Sequence, residues 1–352
     1  MERIENIAKS ICAIDSAILA KAQKRLDNLT KPLGSLGRLE ELAKQICGIT
    51  AQETPLLNNK VIFTLAADHG VTEEGVSAYP KEVTAQMVYN FLSGGAGINV
   101  LARHAGARVV VVDMGVAVDL KADSRLVVKK INYGTKNMAK GPAMSRDEAI
   151  RSIHSGIEIF ETEFKRGLDI AGTGEMGIGN TTSASALTAV FTHTPAKALT
   201  GRGAGLDERG LKNKIAVIER SISLNKPDPA DPIDVLSKVG GFEIGGLTGI
   251  ILAAAAKKVP LVIDGFISGA AALVAYHIEP KAKDYMIASH CSVESGHKII
   301  LDHMGLKPLL DLNLRLGEGT GGALAISLAD AAVKILTQMA TFKSANVSEK
   351  KK

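Results

Sequence analysis

The chain has 352 residues, which suits one large α/β domain with a smaller appendage and exceeds a single small domain. Trp is absent and aromatics are only 4%, so the core has to be aliphatic. The formal net charge of +5 comes from scattered Lys and Arg, which favours a phosphate-bearing small molecule and excludes the basic stripe of a nucleic-acid binder.

The N-terminal run MERIENIAKSICAID carries acids and no long apolar segment, so it is not a secretory leader. Residues 1–50 read as helical, with Ile4, Ile7, Ile11, Ile14 and Ile18 at helical spacing. A Pro/Gly-punctuated loop, Lys31 to Arg38, interrupts them, and Leu36 to Ile46 resumes the pattern. After Thr54-Pro55 short β-branched runs alternate with longer helical stretches. The runs are Lys60–Ala66, Arg108–Asp113, Leu168–Ala171, Ala196–Thr200, Val259–Asp264 and Asp284–Ala288. Most are continuously apolar, which predicts strands covered on both faces and hence a parallel sheet between helices. The most apolar stretch, Leu247 to Ala256, stops at Lys257-Lys258 and is too short to span a bilayer. A last helix is predicted over Gly321 to Met339, followed by a polar, frayed tail whose Lys350 to Lys352 run is solvated. Cys12, Cys47 and Cys291 make no C-x-x-C pair, which argues for a reducing compartment. The expectation is a soluble cytoplasmic protein with no membrane partner.

In an open parallel sheet ligands bind beyond the carboxyl ends of the strands. Asp68-His69-Gly70, Asp113, Gly172 to Glu175, Asp264-Gly265 and Ser289-His290 all fall at predicted strand ends. The strongest local signal is GTGEMGIGNTT, Gly172 to Thr182, between a strand and a helix. Glycines there let backbone N–H groups approach an anion at a helix N-terminus, and Asn180, Thr181 and Thr182 can cap or donate. The bland alternative is a tight turn with no ligand. The segment contains a G-x-G-x-x-G, but no acid occurs between Glu175 and Asp207 to hold ribose hydroxyls, so a dinucleotide site matches weakly. A second turn, Gly201 to Gly205, precedes a helix carrying Lys212 and Lys214; either Lys can serve a phosphate or simply face water.

There is no Walker P-loop, and no apolar run ends in adjacent acids that would grip ribose and magnesium. His290, Glu294 and His297 share a face only if their segment is helical, a weak metal signal. No metal or cofactor is expected. Glu318 sits between two glycines in LRLGEGTGG, just before the last helix. In a partly dry pocket its pKa would rise towards that of a general base; it would equally complement a helix dipole, and local pattern does not separate the two.

At these motifs the chain resembles the nicotinate-nucleotide–dimethylbenzimidazole phosphoribosyltransferase family. The blocks run in order over nearly the whole length: KPLGSLGRLEELA (31–43), AADHGVTEEGVSAYPKEVTAQMV (66–88), GEMGIGNTTSASAL (174–187), GRGAGLD (201–207), GGFEIGGLTG (240–249), DGFISGAAAL (264–273), SHCSVESGH (289–297) and LNLRLGEGTGGALA (312–325). The resemblance implies a three-layer α/β/α fold with a Rossmann-like, mainly parallel sheet of about six strands. It implies a small helical subdomain from residues 1–55 and 330–352 beside a catalytic domain of 56–329, and a homodimer. It implies Glu318 as catalytic base, and a base pocket of Ser77, Tyr79, Pro80, Gln86, Met87 and Leu316. Nucleotide contacts would come from Glu175, Met176, Gly177, Gly179, Asn180, Thr181, Gly203 and Lys214, with Ser292. The substrates implied are nicotinate mononucleotide and a benzimidazole-type base. Two rivals are a nicotinamide-dependent dehydrogenase, which lacks its ribose-binding acid here, and a non-catalytic nucleotide sensor, which has no use for Glu318.

Overall fold

The computed structural model describes residues 1–348, so the Lys350 to Lys352 run lies outside the described residues. Six strands form one all-parallel sheet: β1 Lys60–Ala67, β2 Ala107–Gly115, β3 Leu126–Val128, β4 Ile170–Met176, β5 Leu261–Ile263 and β6 Met286–Ala288. Their spatial order is β3-β2-β1-β4-β5-β6, the doubly wound order whose reversal lies between β1 and β4.

Alternation along β1 divides the core in two. Val61, Phe63, Leu65 and Ala67 face one side, where Arg146–Lys165, Phe242–Ala256 and Phe266–Ile278 cover them. Ile62 and Ala66 face the other, against Arg38–Thr50, Gly97–Ala105 and Thr320–Gln338. Ser16–Asp27 and Arg38–Thr50 pack on each other and on Thr320–Gln338. The chain ends are tied there: Leu29 bridges Thr341, and Arg25 donates to the Thr337 carbonyl at 3.1 Å. The first helix, Glu2–Ser10, crosses to the opposite face, where Arg3 pairs with Glu158 and Glu161.

Thr320–Gln338 is the one described helix long and apolar enough to cross a membrane, yet 56% of its most apolar 18-residue stretch is buried inside the protein. Phe242–Ala256 is buried all round, as its mostly apolar sequence allows, with Glu243 and Thr248 its buried polar residues.

Three expectations change. Ala196–Leu199 is a short helix, not a strand: Pro195 starts it, and Ala196 and Leu199 bury at i, i+3 spacing. β3 was not expected, because three residues, one of them exposed, leave too short a pattern. Gly172 to Glu175 is not a turn, since β4 continues to Met176 and the turn begins at Gly177. The strand keeps its glycines because neighbouring groups occupy the space of their side chains. A Cβ on Gly172 would lie 2.5 Å from Ile62 Cδ1, and one on Gly174 2.2 Å from the Glu318 carbonyl oxygen.

The same logic sets the contact between Arg146–Lys165 and Phe242–Ala256. A Cβ on Gly156 would meet the Gly246 carbonyl oxygen at 1.9 Å, and one on Gly249 the Ile153 carbonyl oxygen at 2.0 Å. Gly156→Ala should therefore destabilise the fold by about 2–3 kcal/mol through overpacking, against a helix-propensity gain of about 1 kcal/mol. Urea unfolding reads this as a lower midpoint at unchanged slope; a raised midpoint would mean that the helices have room to separate.

Candidate active site

A cleft of about 420 Å³ opens beyond the carboxyl ends of β1, β4 and β5, at the strand-order reversal. Ser77, Tyr79, Met87 and Leu316 line its mouth. Glu175, Met176, Gly177, Gly179, Asn180, Thr181, Gly203, Ser292 and Glu318 line it too. Among the anticipated residues Pro80 and Gln86 do not line it; both are exposed beside it. Lys214 is not in the lining either. It lies fully buried behind Thr181.

Glu318 stands in a strained loop. Gly317, Glu318 and Gly319 all have positive φ (81°, 64° and 99°), which a glutamate adopts only when its surroundings impose it. Thr64, on β1, donates its hydroxyl to the Glu318 carbonyl oxygen at 3.0 Å. The Ile98 N–H, in the first turn of Gly97–Ala105, donates to Glu318 Oε2 at 3.0 Å. Among the described residues no protein group donates to Oε1. Burial raises the Glu318 pKa above the ordinary carboxylate value, and the Ile98 hydrogen bond pulls it partly back. The result is a carboxylate with one oxygen fixed and the other free to accept a proton.

Short loops form a cradle in the same lining. Gly179 (φ 93°) takes the N-cap position of Asn180–Thr192 with no side-chain cap. Of the two roles open to Asn180, Thr181 and Thr182, none caps the helix: Asn180 donates to Glu175 Oε2, and the Thr182 hydroxyl is buried without a partner among the described residues. Lys214 Nζ donates to Thr181 Oγ1 at 2.7 Å and lies 3.5 Å from the Gly201 carbonyl oxygen. Gly203 (φ 54°) approaches the same ammonium, since a Cβ there would sit 3.4 Å from Nζ. Burial lowers the Lys214 pKa to about 8, with Glu294 opposing that shift. Two glycine turns, a helix N-terminus and a buried ammonium thus converge, an arrangement suited to a phosphate.

A phosphoribosyltransferase family, DBI_PRT, matches residues 11–347. The nicotinate-nucleotide–dimethylbenzimidazole phosphoribosyltransferase of Desulforudis audaxviator is 57% identical over 351 residues, covering 100% of this chain and 99% of the relative. The chain belongs to this family. The Geobacter sulfurreducens enzyme of the same name is 55% identical over 349 residues, covering 99% of each chain. Two crystal structures from Thermus thermophilus superpose with TM-scores of 0.91 and 0.92. One is titled as the same phosphoribosyltransferase and the other as CobT. They are 43% and 44% identical and cover 96% and 95% of this chain and 100% of their own.

Around the cleft of this phosphoribosyltransferase-family chain lie groups whose partners were not anticipated. His69 Nε2 is 2.6 Å from Glu243 Oε1, and its Nδ1 is 3.1 Å from Ser183 Oγ, all three buried beneath the 177–180 turn. Asp264, after β5, accepts from the N–H groups of Gly319 and Gly322. His69 and Asp264 stood out at strand ends, but their partners come from remote segments. Arg315 and Phe266, both in the lining, carried no local signal.

His290, Glu294 and His297 do not share a helical face. His290 precedes the helix Ser295–Met304 in an isolated bridge, and Glu294 is that helix's N-cap. Burial lowers His290 to about 4 and His297 to about 3. His297 Nδ1 accepts the Ser292 N–H at 3.0 Å, which places the ring proton on Nε2 and orients the Ser292 backbone.

Burial, reinforced by Glu243 and Asp264, raises Glu175 to about 8 from 4.5. The native state therefore keeps a proton that the unfolded chain releases, and between those values stability falls as pH rises. Glu175→Gln should remove this slope. Wild type should lose more melting temperature than the variant between pH 5.5 and pH 8, as read by calorimetry. Equal losses would mean that Glu175 is already ionised in the fold.

Proposed function

We propose that this chain transfers the 5-phosphoribosyl group of nicotinate mononucleotide to 5,6-dimethylbenzimidazole. The products are α-ribazole 5′-phosphate and nicotinate, which assembles the lower-ligand nucleotide of cobalamin. The reading rests on family membership, and one observation carries the mechanism: a half-satisfied carboxylate, Glu318, lines the same cleft as a phosphate-type cradle.

The phosphate is bound by the Gly177–Thr181 and Gly201–Gly203 turns, with Lys214 adding charge from behind Thr181. Held there, it acts as a handle that aligns the ribose for attack. The nicotinate ring leaves as a neutral pyridine and takes no proton. The benzimidazole attacks the anomeric carbon through one ring nitrogen, and the adduct would be cationic unless its other N–H is lost. Glu318 Oε1 takes that proton. Its raised pKa makes it a better base than an exposed carboxylate. Tyr79, Met87 and Leu316 offer an apolar mouth for the flat heterocycle, with Ser77 beside them. Inversion at the anomeric carbon gives the α configuration, as the family implies. The homodimer and the cytosolic setting belong to the same proposal.

Glu318→Gln should lower kcat by ~10²–10⁴-fold, the range of a general base, while nicotinate mononucleotide binds nearly as before. Nicotinate release followed by chromatography reads the rate; an unchanged rate refutes the role. Lys214→Met keeps the buried stem and removes the charge. It should weaken nucleotide affinity by roughly 10-fold or more, the scale of one charge-assisted contact, with a smaller effect on saturated turnover. Equal affinity in calorimetric titration would place the phosphate elsewhere.

A further inference from the structure

Resting on the proposed role of Glu318, we propose that Asp264 is its positioning residue: it holds the peptide bond after Glu318 and thereby aims the reacting carboxylate into the cleft.

The helix Thr320–Gln338 begins directly after the strained loop, and its first N–H groups need acceptors. The usual acceptor is the N-cap side chain. Here the N-cap is Gly319, which has none, and its φ of 99° and a Cβ position 2.7 Å from Ile62 Cγ2 bar any other residue. Asp264 supplies the missing cap from a different element. Its Oδ2 accepts from Gly319 N–H at 3.2 Å and its Oδ1 from Gly322 N–H at 2.9 Å. Asp264 is 1% exposed, so neither bond is shared with bulk water.

A cap alone would concern stability. The connection with Glu318 is that Gly319 N–H and the Glu318 carbonyl belong to one planar peptide unit. Thr64 holds its carbonyl end at 3.0 Å and Asp264 holds its N–H end. With both ends fixed, the plane can rotate little, and the direction of the Glu318 Cα–Cβ bond follows from it. The preceding peptide is held as well, since the Gly317 carbonyl accepts from Thr320 N–H at 3.0 Å, and the strained φ of 64° follows from these two fixed planes with the close approach of Gly174. Asp264 is itself held: Ser289 donates its hydroxyl to the Asp264 carbonyl oxygen at 2.9 Å, and the Asp264 N–H donates to Thr173 Oγ1 at 3.1 Å. The nucleotide cradle comes from other segments, so the device acts on the proton acceptor and not on the phosphate.

The test is a double-mutant cycle between Asp264→Asn and Glu318→Gln, with single-turnover rates at excess enzyme so that slow residual transfer is readable. Asn keeps the shape but sets an NH₂ donor against one of the two N–H groups. Asp264→Asn alone should lower kcat by ~10–100-fold, the cost of misplacing a reacting group by a fraction of an ångström to an ångström, with KM for nicotinate mononucleotide within about 2-fold of wild type. In the Glu318→Gln background the same change should cost less than about 2-fold, because the group it aims is already disabled. An equal factor in both backgrounds, or a loss carried by nucleotide KM, overturns the proposal. If Asp264→Asn does not fold, judged by circular dichroism and melting, Thr64→Val removes the bond at the other end of the peptide. It should show the same kcat loss and the same silence beside Glu318→Gln, and a Thr64→Val enzyme with wild-type kcat overturns the proposal. Failure of the wild-type enzyme to release nicotinate would remove the functional reading itself, and Asp264's role with it.

Discussion

Two stretches of backbone touch at the centre of the site, and most of the local architecture follows from that contact. Gly174 lies so close to the Glu318 carbonyl that a single carbon added to it would overlap the oxygen. Gly172, two residues earlier on the same face, leaves room for Ile62, with Ile326 of the last helix just beyond. A strand without side chains on one face lets a helix start directly above its end. That puts the loop carrying Glu318 at the strand-order reversal. The far end of the helix is gripped by Ser16–Asp27, Arg38–Thr50 and the Leu29–Thr341 bridge. The terminal segments of the chain therefore hold the axis whose first residues line the cleft.

The electrostatics of the cleft are lopsided. Glu175, Asp264 and Glu318 are all buried, and Lys214 is the buried ammonium of the cradle. Unpaired carboxylates in a low-dielectric setting survive by holding protons or by accepting backbone N–H bonds. Both devices occur here. Glu175 is held up at about 8 and Asp264 at about 7 by burial, while Asp264 and Glu318 also accept from helix N-termini. The cradle instead sets glycine turns around one cation, Lys214, with the buried Glu294 carboxylate beside it. The cleft thus offers both carboxyl groups and a glycine-lined ammonium, which suits the nucleotide and the base of the proposed reaction.

Much of this was legible in the chain. The β-branched runs of β1 and β2 announce buried parallel strands, and glycine clusters mark where backbone approaches a ligand. The glycines flanking Glu318 single it out as unusual. Local pattern misled where a short segment admits two readings: Pro195 turns Ala196–Leu199 into a helix, and β4 runs on through glycines that look like a turn. What no window of sequence carries is long-range pairing. Glu318 meets Ile98 across 220 positions and His69 meets Glu243 across 174. For Lys214 local pattern left phosphate and water both open; it is fully buried, because helix Glu208–Asn225 turns that face towards the Thr181 turn.

The mouth of the cleft differs in construction from its floor. Tyr79 is 53% exposed and Leu316 61% exposed, and both project from loops, whereas Glu175, Asp264 and Glu318 are embedded among strand ends. Substitution at the rim would disturb almost no buried packing, while change at the floor would unseat the helix start. On the proposed function, reaction type and substrate preference are therefore separable in this architecture. Lineages would then be free to trade one aromatic acceptor for another by editing a few outlying side chains, leaving the inherited chemistry untouched.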